Sequence, residues 1–124
     1  MKFQGEIEYT ITEHSSEHVL AEMPVRVGIL NADGVVNPGA MLWFADTCAT
    51  VLAYDRNELV PGTAGVLTSI SINADIVGNQ KDGVLKALSR FVKYGSESSV
   101  VHTVVTGADE MLIADITTSY IFAK

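Results

Sequence analysis

The sequence predicts an α+β fold in which an antiparallel sheet of five to six strands wraps around one long central helix, and three observations lead there. Most of the chain consists of alternating or β-branched stretches separated by Gly, Asn, Asp and Ser clusters, which is the punctuation of strands and turns. One segment, Met41-Leu-Trp-Phe-Ala-Asp-Thr-Cys-Ala-Thr-Val-Leu-Ala-Tyr54, is apolar all round, and a helix without a polar face must be covered. Two strands precede it and four follow, so the covering surface is the sheet's concave face.

The elements follow in order. Strands are expected at Phe3–Ile11 and Val19–Val27, joined as a hairpin by the polar turn Glu13-His-Ser-Ser-Glu17. Asn31-Ala-Asp-Gly34 breaks the pattern. Asn37-Pro38 opens the helix, with Asn a favoured cap and Pro tolerated at the first helical position, where an N–H would lack a partner anyway. The helix runs to about Tyr54, and the loop Asp55–Gly65 follows. Four strands are then expected at Val66–Ile76, Val84–Tyr94, Ser99–Thr106 and Met111–Phe122, with antiparallel neighbours implied by the short breaks between them.

A length of 124 residues with 48% hydrophobic content describes a single domain, residues 1–124. The mean hydropathy of +0.26 is high for so short a chain, which cannot hide that much apolar surface internally, so subunit contact is expected. A net charge of −7 leaves no basic stripe for phosphate backbones and argues against nucleic acid. Met1-Lys-Phe-Gln-Gly5 lacks a signal peptide's apolar region, and the longest apolar run is too short for a bilayer, so a cytoplasmic protein without membrane contact is expected. The single cysteine, Cys48, excludes an internal disulfide and, without clustered His and Cys, argues against a metal site. Between Ala45 and Ala49, it reads as a small buried hydrophobe.

Asp46 is the one charged side chain in the apolar helix. A carboxylate carried into such surroundings loses hydration, and needs either structural partners or a chemical role. A base or nucleophile close to backbone amides at a helix N-terminus is what acyl transfer requires. Here Gly39 would let a substrate approach the backbone closely. Asn31 is common in turns for backbone reasons alone. His14 and His18 flank the first turn and read as solvated, whereas His102, within Val100-Val-His-Thr-Val-Val105, reads as a sheet position bonded to a neighbour. Arg90, on one strand with Lys86 and Lys93, reads either as a phosphate contact or as a solvated strand edge.

The run Asn31-Ala-Asp-Gly-Val-Val-Asn-Pro-Gly-Ala-Met-Leu-Trp-Phe-Ala-Asp46-Thr resembles the motif core of the hotdog-fold acyl-CoA thioesterases, specifically the phenylacetate-degradation (PaaI-like) group, and the resemblance extends over essentially the whole chain. It implies hydrolysis of an acyl-CoA thioester, without a cofactor, at a site shared between subunits of a homodimer or homotetramer. The helix acid, general base or nucleophile, falls on Asp46, and the asparagine that places the water or the carbonyl falls on Asn31. A strand hydroxyl falls on Ser69, with neighbouring Thr68 as the alternative. The family's His-Gly-Gly is Asn37-Pro38-Gly39 in this chain, so the amide that would polarise the carbonyl is matched by Pro38, which has no N–H. The donor must then move, to the amide of Gly39 or Ala40 or to the Asn37 carboxamide, or be missing. A hotdog protein that binds an acyl-CoA or other apolar ligand without hydrolysing it is the alternative.

Overall fold

The computed structural model describes the backbone of residues 1–56, 66–95 and 97–123, and the side chains of 1–54, 70–95 and 97–121. Its strands are β1 (Thr10–His14), β2 (His18–Pro24), β3 (Val66–Ile76), β4 (Val84–Lys93), β5 (Ser98–Thr106) and β6 (Leu112–Ala123), and its helix is α1 (Pro38–Arg56). The strands form one antiparallel sheet in the order β1-β2-β4-β5-β6-β3. This is the expected sheet around a single long helix.

Period-two alternation decides which residues meet the helix. Val19, Ala21 and Met23 of β2 are buried, as are Leu85, Ala87 and Ser89 of β4, Val101, Thr103 and Val105 of β5, and Ile116, Thr118 and Tyr120 of β6. They pack against Met41, Phe44, Ala45, Cys48, Ala49, Leu52 and Ala53 of α1. The Ser89 and Thr103 hydroxyls, which would be costly if buried alone, bond each other at 2.7 Å.

The structure differs from the sequence expectations at the end of the second strand, where β2 stops at Pro24 rather than Val27 and a helical turn follows at Val27–Ile29, and at four further places. Residues 3–9 are not a ladder strand; they run as an arm along the turn near Gly28, where the Glu6 N–H donates to the Gly28 carbonyl at 3.1 Å. The alternation that suggested a strand is real, since Ile7, Tyr9 and Ile11 all pack on the core, but packing alternation does not require sheet hydrogen bonds. β3 does not neighbour β4: it lies at the sheet edge beside β6, and β4 pairs with β2. The connection 77–83 crosses about three strand spacings of 4.8 Å, well within the reach of its residues at about 3.3 Å each, so a short connection did not require adjacency. His18 is not solvated but half-buried, with its ring bonded to Ser15 Oγ at 3.1 Å and Glu13 Oε2 at 3.2 Å.

The last difference is that the helix is not buried all round. Trp43 is 40% exposed, and Asp46, Thr47, Thr50 and Tyr54 are half-buried along the same stripe. A single sheet layer covers one side of a helix, and among the described residues the other side carries only partial cover, including the Tyr9 ring on Trp43.

Cys48 is buried in the core, and burial pushes its thiol from 9.0 up to about 12. The folded state therefore holds the proton more tightly than the unfolded chain. The thiol's contribution to stability is intact below pH 9.0 and is lost as pH rises from there to about 12. Urea unfolding midpoints should fall across that window in the wild type and fall less in Cys48→Ala.

Candidate functional site

The helix begins as its residues dictate. Asn37 caps it: the side-chain oxygen Oδ1 accepts the Gly39 N–H at 3.0 Å, and the carbonyl accepts the N–H groups of Ala40 at 2.9 Å and Met41 at 3.4 Å. Pro38 occupies the first helical position and has no N–H. The first-turn amides of Gly39 and Ala40 are thus already engaged. Because Oδ1 faces the Gly39 amide, Nδ2 of the same carboxamide points outward, and it has no hydrogen-bond partner among the described residues. The sequence named this group as one of three possible donors. The cap geometry leaves it available.

Entry into the helix is held from a distance. Asn79, in the connection after β3, accepts the Val36 N–H with Oδ1 at 3.0 Å and donates Nδ2 to the Val36 carbonyl at 3.0 Å. Asn31 holds its own turn, with Oδ1 accepting the N–H groups of Asp33 at 2.9 Å and Val35 at 3.4 Å.

Asp46 lies two turns into α1 on the open stripe, half-buried. The buried Tyr120 phenol of β6 donates to its Oδ1 at 2.9 Å, and lies 3.0 Å from its backbone carbonyl. Thr50, one turn on, bonds that carbonyl at 2.8 Å and lies 3.5 Å from Oδ1. Burial pushes the Tyr120 phenol well above its usual value, and the neighbouring carboxylate adds to the rise, so the phenol remains a donor throughout the physiological range. Neither Tyr120 nor Thr50 was identified from sequence. Thr50 could have been found from its i+4 spacing to Asp46, but nothing local links Tyr120 to a residue 74 positions earlier.

An open cleft of about 530 Å³ adjoins the helix start, lined by the arm (Phe3 to Ile7), Gly28, Ile29, Leu30, Asn37, Gly39, Ala40 and Trp43. It contains three of the helix-start residues expected from sequence, but not Asn31 or Asp46. Thr68 and Ser69 lie in β3, and their side chains fall outside the described residues. Arg90 is exposed on the sheet face opposite the helix, in register with His18 and His102. His102 Nε2 and Asp115 Oδ1 are 2.8 Å apart on that outer face. Among the described residues no three His, Cys, Asp or Glu side chains gather as metal ligands, and no helix is long and apolar enough to cross a membrane.

No family model matches the chain. It is 29% identical over 103 residues to "Putative esterase ComA2" of Bacillus subtilis (strain 168), covering 83% of this chain and 79% of that protein. Among solved structures it superposes on a mutant of a thioesterase enzyme from Staphylococcus aureus subsp. aureus Mu50 with a TM-score of 0.85 at 19% identity, covering 94% of this chain and 93% of that one. The chain has the hotdog fold. Two more structures agree: a thioesterase from Haemophilus influenzae (TM-score 0.81, 18% identity, 94% and 78% covered) and a hypothetical thioesterase with coenzyme A from Streptococcus pneumoniae TIGR4 (0.78, 21%, 94% and 86%).

Proposed function

We propose that the protein hydrolyses an acyl-CoA thioester to a free acid and coenzyme A, with Asp46 as general base or nucleophile. The observation that carries this reading is the half-buried Asp46 carboxylate, held by the Tyr120 phenol on the open face of an otherwise apolar helix. The thioesterases among the structural neighbours and the esterase relative support the reaction class.

The chemistry needs a base or nucleophile at the carbonyl carbon and a donor where oxyanion charge develops. The Asn37 Nδ2 group, at the mouth of the cleft, is the donor left free by the cap. If Asp46 acts as base, it takes a proton from water as the water oxygen bonds to the carbonyl carbon. The oxyanion collapses, the C–S bond breaks, and the coenzyme A thiolate leaves with the electron pair and takes up the proton.

Asn37 and Asp46 of one chain do not meet on one carbonyl. Eight residues of helix separate Pro38 from Asp46, roughly 12 Å along the axis. A site of reacting size therefore pairs the helix start of one subunit with Asp46 of another, in a homodimer or homotetramer. The edge strand β3, with Ile70 and Ile72 each 42% exposed, has an outer edge with no neighbouring strand among the described residues, and that edge is available for the association.

The test is release of free thiol from a panel of short, medium, long and aryl acyl-CoA thioesters. Turnover with any of them is the expected result, and a folded oligomer that releases no thiol from the panel contradicts it. A second reading, binding without hydrolysis, is favoured by one observation: Pro38 removes an amide, and the cap engages those of Gly39 and Ala40. Tight binding with no product would establish that reading.

A further inference from the structure

The cleft at the helix start differs chemically from a phosphate site. Its walls are Phe3, Ile7, Ile29, Leu30 and Trp43, and the charged residue of its lining is the carboxylate Glu6. This lining offers no cation to the phosphates of coenzyme A, while its apolar surfaces favour an uncharged chain or ring. Asn37, with its outward Nδ2, stands on the same lining, where a carbonyl at the end of such a group would be met.

The walls are fixed in two ways. Tyr9 packs its ring edgewise on the Trp43 indole (centroids 5.3 Å apart, planes at 71°) and also touches Phe44 at 5.1 Å, so the indole is braced from behind although 40% of the residue is exposed. The arm is seated by glycine: a Cβ on Gly28 would lie 2.9 Å from the Glu6 carbonyl oxygen and 3.0 Å from the Glu6 Cβ. Only a glycine there allows the arm to close this side of the cleft.

We infer that this cleft is the acyl-binding pocket, that Trp43 is the residue determining which acyl groups fit, and that the nucleotide end of coenzyme A remains outside it. The inference deepens the thioesterase reading, on which it rests for the identity of the ligand, but its test does not require turnover. Trp43 is the single tryptophan of the chain, so it reports the occupancy of its own pocket.

The probes are coenzyme A and its non-hydrolysable S-alkyl thioethers: butyl, hexyl, octyl and decyl. The thioethers should shift the Trp43 emission while coenzyme A at the same concentration leaves it unchanged. Their Kd should fall by about fourfold for each methylene enclosed, then level off when the cleft is full. In Trp43→Ala, followed by calorimetry and checked for an intact thermal transition, the levelling should move to a longer chain. An equal shift from coenzyme A alone, no binding by any thioether, or a Kd independent of chain length overturns the inference in the wild type, whether or not the variant folds. An unmoved levelling point in a folded Trp43→Ala overturns the role of Trp43. Binding as expected with no thiol release from the matching thioesters would leave the pocket assignment standing and remove the hydrolytic reading instead.

Discussion

Asp46→Asn is expected to lower thioester turnover by about 10²- to 10⁴-fold, the usual worth of a positioned acid or base, while leaving the protein folded. The substitution keeps the shape of the side chain and an oxygen able to accept from the Tyr120 phenol, so the bond at 2.9 Å has a successor. What it removes is the negative charge that takes a proton or attacks the carbonyl. Thiol release measured beside a thermal melt separates the two effects. A variant that melts like the wild type and turns over at the wild-type rate would remove Asp46 from the chemistry and make it a structural acid. A variant that unfolds would instead say that the charge matters to the packing of α1 on β6.

The second large effect separates two roles of one side chain. In Asn37 the oxygen caps the helix and the nitrogen is free, so Asn37→Asp keeps a cap for the Gly39 amide and removes the outward donor. Aspartate is as good a cap as asparagine and is favoured by the helix dipole, so stability should hold or rise slightly. Turnover should fall by about 10²- to 10³-fold, the typical worth of one oxyanion donor, with the added negative charge acting in the same direction. Undiminished turnover in Asn37→Asp would show that the carbonyl is polarised by another group, and the amides freed by a displaced cap would be next in line.

These two residues also show how far the sequence could be read. Asn37 as a cap follows from Asn-Pro at the start of an apolar run, because each residue satisfies a local requirement of a helix terminus. Which amides the cap engages is equally local, yet its consequence emerges only when the bonds are placed: the cap that builds the helix start also engages the amides expected to bind the carbonyl. Asp46 could be picked out because a lone charge in an apolar run is conspicuous without any tertiary information. Its partner Tyr120 is a long-range contact set by how β6 crosses beneath α1, and no periodicity carries that. The sheet behaves in the same way. Strand positions follow from alternation and turn residues, and those of β3, β4, β5 and β6 lie within a residue of expectation. Strand order depends on where a connection can reach, and residues 77–83 can reach several positions. The open stripe of α1 was hidden for another reason. Trp43 and the two threonines read as compatible with burial, and an apolar run does not say which of its faces one sheet layer reaches.

On the proposed reading the site is built from two subunits, with Asn37 from one and Asp46 from the other. Co-expression of Asp46→Asn and Asn37→Asp chains tests this most directly. If Asp46 of one subunit works with Asn37 of the other, a mixed dimer holds one site with both residues intact and one with neither. Random mixing should then restore about a quarter of the wild-type thiol release, although each variant alone is nearly inactive. If both residues of a site come from one chain, every site in a mixed dimer carries a lesion, and co-expression that restores nothing would contradict the account.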